Sequence, residues 1–145
     1  MNILIVGFGS IGQRHLQNLL KEYPNNKYYV YKKAHYIDVI KDCSIISNDM
    51  ETYYKNVTFI NNINNIDYID TAFICNNTSD HMSIALKLSQ QKINLFIEKP
   101  LSHNSEDIDL LKINIEKNKS AVMVGFQTKF NPLYLKLKLL IKNKK

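Results

Sequence analysis

Cysteine is scarce in this chain of 145 residues. Cys43 and Cys75 are the only two, and they form neither a CxxC pair nor any other metal-type spacing, so nothing points to a cysteine-held metal. A reduced, cytoplasmic compartment is the simplest inference. Long apolar runs are missing as well: none approaches the ~20 residues of a membrane span. The first apolar run, Ile3 to Val6, has no basic region before it and meets Gly7 at once, which is unlike a signal peptide. Acids are absent from the last fourteen residues, which hold five lysines, Lys136, Lys138, Lys142, Lys144 and Lys145. The rest of the chain carries 14 bases against 13 acids. The net charge of +6 therefore belongs to the tail, and neither nucleic acid nor an anionic membrane is the expected partner.

What is present is an ordinary globular composition, with 45% hydrophobic and 22% charged residues. The length suits one domain, which can bury roughly 70% of the surface exposed by the unfolded chain. Short β-rich runs alternate with segments of helical period, the pattern of βαβ units around a parallel sheet. The strand candidates are Asn2 to Val6, Tyr28 to Tyr31, Val57 to Ile60, Thr71 to Cys75, Ile93 to Ile97 and Ala121 to Phe126. Six such strands predict an α/β fold with one doubly wound sheet.

Ile11, Leu16, Leu19, Leu20 and Tyr23 mark a helix after the first strand, and Pro24 stops it. Met82, Ala85 and Leu88 mark a second from Ser79 to Gln91, with Thr78, Ser79 and Asp80 as capping candidates. Ile108, Leu111 and Ile115 mark a third, for which Asn104 is the expected cap. Residues Ala34 to Lys55 read as a helix with irregular flanks. The Asn-Asn pairs at 25–26, 61–62 and 76–77 read as turns, and there are no internal repeats.

The run VGFGSIG places Gly7, Phe8, Gly9, Ser10, Ile11 and Gly12 between the first strand and the first helix. In that context G-x-G-x-x-G is a dinucleotide fingerprint. The first glycine allows the tight turn, the second lets a pyrophosphate approach the backbone, and the third lets helix and strand pack closely. The helix N-terminus then offers free N–H groups to the phosphates. A glycine-rich turn without a ligand is the plain alternative.

At the end of the second strand an acid accepts from the ribose 2′-OH, whereas a base can hold a 2′-phosphate. This chain has Lys32 and Lys33 there and no acid. The expected cofactor is NADP or NAD, with NADP preferred; alternatively the two lysines only cap an exposed strand end. A methyltransferase using S-adenosylmethionine usually wants an acid at the same place, so the lysines argue against that rival.

In a doubly wound sheet the ligand lies across the carboxyl ends of the strands. The polar residues there are Asn76, Asn77 and His81, then Glu98, Lys99 and Pro100, then Gln127 and Lys129. Together the fingerprint with Arg14-His15, ICNNTSDH, FIEKPLS and VGFQTKFNP resemble the nucleotide-binding half of the Gfo/Idh/MocA oxidoreductases, over about Met1 to Pro132.

The resemblance implies a Rossmann domain over residues 1–130. It also implies a catalytic role for Lys99, near the nicotinamide and in contact with the reacting substrate group. An ammonium beside a hydroxyl under oxidation stabilises the charge developing on oxygen. Glu98 would help fix that lysine, and Pro100 stiffens the turn and is a candidate for a cis bond. Standing alone, Lys99 would read as a solvent-facing strand terminator. His81 matches a family histidine, either a ligand contact or a helix residue satisfied by backbone. Asn77 stands where the family usually has proline, and Lys129 stands where it has arginine, keeping charge without the bidentate fork.

Family members continue into a second α/β domain with a catalytic histidine, and that domain is absent from this sequence. Residues 131–145 read as its first element, although Leu133, Leu135, Leu137 and Leu139 alternate like a strand. Leu133, Leu137, Leu140 and Ile141 are expected to be left uncovered, to dock back on the domain, on a partner chain or on another copy. The implied partners are a nicotinamide dinucleotide and, with a second domain, a sugar-like substrate. The contrasting expectation is a non-catalytic nucleotide-binding or interaction module, or the remnant of a disrupted gene.

Overall fold

The run NILIV is apolar at four consecutive positions, as a strand covered on both faces must be. It forms β1 (Asn2–Val6), with Ile3 and Ile5 in one core cluster and Leu4 and Val6 in the other. The computed structural model describes residues 1–32, 38–41, 44–47 and 49–143. In chain order the further elements are α1 (Ser10–Glu22), β2 (Lys27–Tyr31), β3 (Val39–Lys41), β4 (Ser44–Ser47), α2 (Met50–Tyr53), β5 (Val57–Ile60), β6 (Thr71–Ile74), α3 (Thr78–Ser89), β7 (Asn94–Ile97), α4 (Ile108–Asn118), β8 (Val122–Val124) and α5 (Pro132–Lys142).

Six strands form one sheet in the order β5-β2-β1-β6-β7-β8, and every neighbouring pair is parallel. Chain order reverses between β1 and β6, so the fold is a Rossmann sheet with its switch point beside the glycine loop. Leu16 of α1, Tyr28, Val30, Phe8 and Tyr54 cover one face, while Met82, Ala85 and Leu88 of α3 and Leu111 of α4 cover the other.

Four expectations are corrected. The described residues between 34 and 55 do not form the expected helix with irregular flanks. Among those described, β3 and β4 make an antiparallel hairpin and only Met50–Tyr53 is helical. The cause lies outside the segment: buried Gln13 donates to the Asp38 carbonyl (2.7 Å) and accepts from Ile40 N–H (2.8 Å), and Gln17 donates to the Ile40 carbonyl (2.9 Å). Side chains of α1 thus take the place of a neighbouring strand.

Asn104 does not cap α4, since it bonds with Ser102 and Glu106 while Asp107 occupies the cap position. Thr78, Ser79 and Asp80 lie inside α3 and Asn77 precedes them, without a side-chain cap bond. Tyr23, expected on the core face of α1, falls beyond the helix end and is exposed, and its carbonyl accepts from Tyr28 Oη.

The ambiguous tail is helical. Asn131 Oδ1 accepts from Leu133 N–H at 2.9 Å and Pro132 occupies the first turn, a pairing that starts a helix. Its apolar side chains remain largely exposed, Leu133 at 75% and Ile141 at 63%. Among the described residues no helix is long and apolar enough to cross a membrane.

Candidate functional site

Gly7 follows β1 with φ +88°, a left-handed conformation that disfavours any side chain. A Cβ there would lie 2.5 Å from Asn76 N, so the glycine lets the loops after β1 and β6 touch. A Cβ on Gly12 would overlap the Gly7 carbonyl oxygen. Gly9 differs from both: a Cβ there would meet nothing within 4 Å. Two glycines are thus required by the protein's own packing, and the third opens onto free space.

Gly9 is also the cap residue of α1 and supplies no side-chain acceptor, and the first turn holds no acid. The helix N-terminus is left with unsatisfied N–H groups and partial positive charge, which suits an anion. Ser10 is exposed and Ile11 half-buried. Phe8 is buried with its ring edge-on to Tyr54 (5.4 Å) and Phe59 (5.6 Å), so its backbone alone remains for a ligand.

At the end of β2 the Lys32 ammonium lies 5.7 Å from the centre of the Phe59 ring. Lys33 lies outside the described residues. Across the switch point, Asn76 Oδ1 is buried and has no hydrogen-bond partner, while Asn77 is exposed. His81 is buried, with Nδ1 2.9 Å from the Pro100 carbonyl and Nε2 3.0 Å from the Asn76 carbonyl.

After β7, Glu98 is buried at 8% exposure beside exposed Lys99 and Pro100, and the Lys99–Pro100 peptide bond is cis. Glu98 Oε1 is 2.7 Å from His15 Nε2, and Oε2 accepts from the Lys99 backbone N–H at 3.2 Å. The backbone lines these ends up: Cys75 N–H donates to Val6, Glu98 N–H to Ile74 and Gly125 N–H to Ile97. Gln127 and Lys129 follow in an exposed 3-10 turn.

Sequence reasoning quoted His15 after the fingerprint without giving it a role, and did not single out Gln13 or Gly125. His15 lies three residues past Gly12, on the same face of α1, and that spacing is the signal that could have drawn it in. Gly125 gives no such signal; a Cβ there would crowd Phe96 and Glu98, at 3.0 and 3.3 Å. Below the loop, Cys75 has its thiol pushed up to about 12, chiefly by burial and then by the charge of Glu98. It is an inert packing residue. Among the described residues no group of three His, Cys, Asp or Glu side chains is placed to hold a metal.

A dinucleotide fits the rim on three counts. The α1 N-terminus is uncapped, the space at Gly9 is open, and Asn76 carries an orphaned buried acceptor. Residues 1–126 match the model of an oxidoreductase family described as having an NAD-binding Rossmann fold.

The chain is 26% identical over 143 residues to a myo-inositol 2-dehydrogenase of Thermotoga maritima, covering 99% of this chain and 41% of that protein. It is also 26% identical over 141 residues to the uncharacterized oxidoreductase YrbE of Bacillus subtilis, covering 96% of this chain and 39% of the other. The crystal structure of a myo-inositol 2-dehydrogenase from Lactobacillus plantarum superposes with a TM-score of 0.77 at 20% identity, over 99% of this chain and 41% of that one. The chain therefore spans about two fifths of the length of these relatives.

Proposed function

Because this chain belongs to the Gfo/Idh/MocA oxidoreductase family, we propose that its rim holds NADP or NAD with the pyrophosphate over the N-terminus of α1 and the nicotinamide beside Lys99. The reaction would move hydride between that ring and a hydroxyl carbon of a sugar, cyclitol or sugar nucleotide. When bound, the nicotinamide supplies the hydride chemistry, and the chain's own residues bind, orient and stabilise charge. The observation that carries this reading is the open space at Gly9 over an uncapped α1, on the same rim as Lys99. The Lys99 ammonium has no hydrogen-bond or ion-pair partner among the described residues, so it is available to a substrate oxygen. There it would stabilise negative charge as the hydroxyl is oxidised.

Residues 131–145 are read as the start of a second α/β domain, which would supply the proton acceptor and the substrate contacts. On that reading this 145-residue chain binds nucleotide and turns over slowly or not at all. Robust substrate-dependent NADPH formation by the purified chain would overturn this expectation. A non-catalytic binding module would bind nucleotide equally well, but would gain no activity when the relatives' second domain is added in trans.

NADP is preferred on the strength of Lys32, whose charge stands at the ribose end of the site. The NAD alternative draws on exposed Asp38, whose carbonyl is held by Gln13 beside the glycine loop. Titration by nicotinamide fluorescence tests both: NADPH should bind about tenfold tighter than NADH, the worth of one charge-assisted contact. Lys32→Glu should reverse the order. Equal affinities would remove the preference, and no binding of either nucleotide would sink the whole reading.

A further inference from the structure

The Glu98–Lys99–Pro100 tripeptide is tied at both ends by imidazoles from two different helices. His15 on α1 meets Glu98 Oε1 at 2.7 Å, and the same carboxylate takes the Lys99 backbone N–H through Oε2. His81 on α3 lies between two carbonyls, with Nδ1 2.9 Å from that of Pro100 and Nε2 3.0 Å from that of Asn76, and donates from each nitrogen that carries a proton. His15 packs against Phe73 (5.5 Å) and Phe96 (5.0 Å), and His81 is 1% exposed.

Glu98 is a buried carboxylate whose hydrogen-bond donors are His15 and the Lys99 amide. Loss of either donor leaves it short of the bonds that offset its burial. Gly125 keeps the pocket open, since a Cβ there would lie 3.3 Å from Glu98 Oε1. Lys99 has no side-chain anchor of its own, so the direction of its stem is set by its backbone.

We infer that His15 and His81 are positioning residues for Lys99, holding its backbone between α1 and α3 with Glu98 as the relay from His15. What Lys99 then does rests on the function proposed above; that it is held in this way does not. Both helices begin at the nucleotide rim, so the same elements that would seat the dinucleotide also set the place of the lysine. A contact on the nicotinamide side should therefore depend on both histidines, and a contact on the adenosine side should not.

The test uses the full chain and substitutions that separate packing from hydrogen bonding. His15→Phe keeps the aromatic stack and removes the donor, whereas His15→Gln keeps a donor near the position of Nε2. In His15→Phe the Lys99 amide, followed by NMR hydrogen exchange, should exchange about tenfold faster, as expected when one charge-assisted bond is lost. His15→Gln should restore it.

In His15→Phe and in His81→Leu, affinity for NADPH or NADH should fall about tenfold, while that for ADP-ribose, which lacks the nicotinamide, stays within about twofold. His81→Asn, which keeps a donor toward Pro100, should recover most of the loss. An unchanged Lys99 amide in folded His15→Phe would overturn the inference, and so would equal losses for ADP-ribose and the whole dinucleotide. If the wild type binds neither nucleotide, the proposed function fails while the exchange measurement still decides this point.

Discussion

Three glycines of one fingerprint carry three different loads, and substitution separates them. Gly7→Ala meets a left-handed backbone and a contact of 2.5 Å with Asn76, so it should lower stability by about 3 kcal/mol or prevent folding. Gly9 has φ −72° and open space where a side chain would go. Gly9→Ala should therefore melt within about 2 °C of the wild type, because alanine adopts that conformation without strain. Its nucleotide affinity should nonetheless fall at least about tenfold, since the methyl occupies the approach to the α1 N-terminus. Normal affinity in Gly9→Ala would move the pyrophosphate elsewhere.

Cys75 offers a second residue-level prediction, of pH dependence. Its thiol is raised from 9.0 to about 12 by burial and then by Glu98, so between those values the unfolded chain has released a proton that the folded one retains. Its contribution to stability is present in full below pH 9 and is lost as pH rises toward about 12. In a Cys43→Ser background at pH 8, native Cys75 should react with iodoacetamide at least about a thousandfold more slowly than in urea, given its lower thiolate fraction. Comparable rates in the two states would refute its inert placement.

At the scale of elements, the β3–β4 hairpin hangs on two glutamines of α1. Gln13 is fully buried and makes three bonds, donating to Phe8 and Asp38 and accepting from Ile40. Gln13→Leu keeps the volume but removes the partner of two carbonyls and an N–H, and should cost about 2–4 kcal/mol in urea unfolding. Exchange of the Ile40 amide should quicken more than that of β1.

The same contact explains what the sequence could not disclose. The six sheet strands were legible because their own residues are β-branched or aromatic and end at turns. The hairpin was not, because its stability comes from side chains about 25 residues away, which local periodicity does not register. The tail sits between these cases. Its alternating leucines suit a strand, and Asn131 with Pro132 decides for a helix. The rim followed the same division: the glycine loop and strand ends could be listed from sequence, but the His15–Glu98 contact, 83 residues apart, had to be seen in space.

At the scale of the molecule, the sheet is two halves that meet at β1 and β6. One half is β5, β2 and β1 with the glycine loop, and the other is β6, β7 and β8. A ligand laid across the switch point touches both, whereas AMP would touch only the half with the glycine loop and β2. Binding to the folded state alone at one hundred times Kd adds about 2.7 kcal/mol, which for a domain of this size raises Tm by about 8 °C. AMP at the same multiple of its own Kd should raise Tm equally, so the melting shift cannot reveal the span. Amide exchange can. With AMP, protection should be confined to residues 9–12 and the end of β2. With NADPH or NADH it should extend across to Asn76, Asn77 and Lys99. Protection of the first set alone by the whole dinucleotide would place the nicotinamide away from Lys99 and leave the lysine without its proposed role.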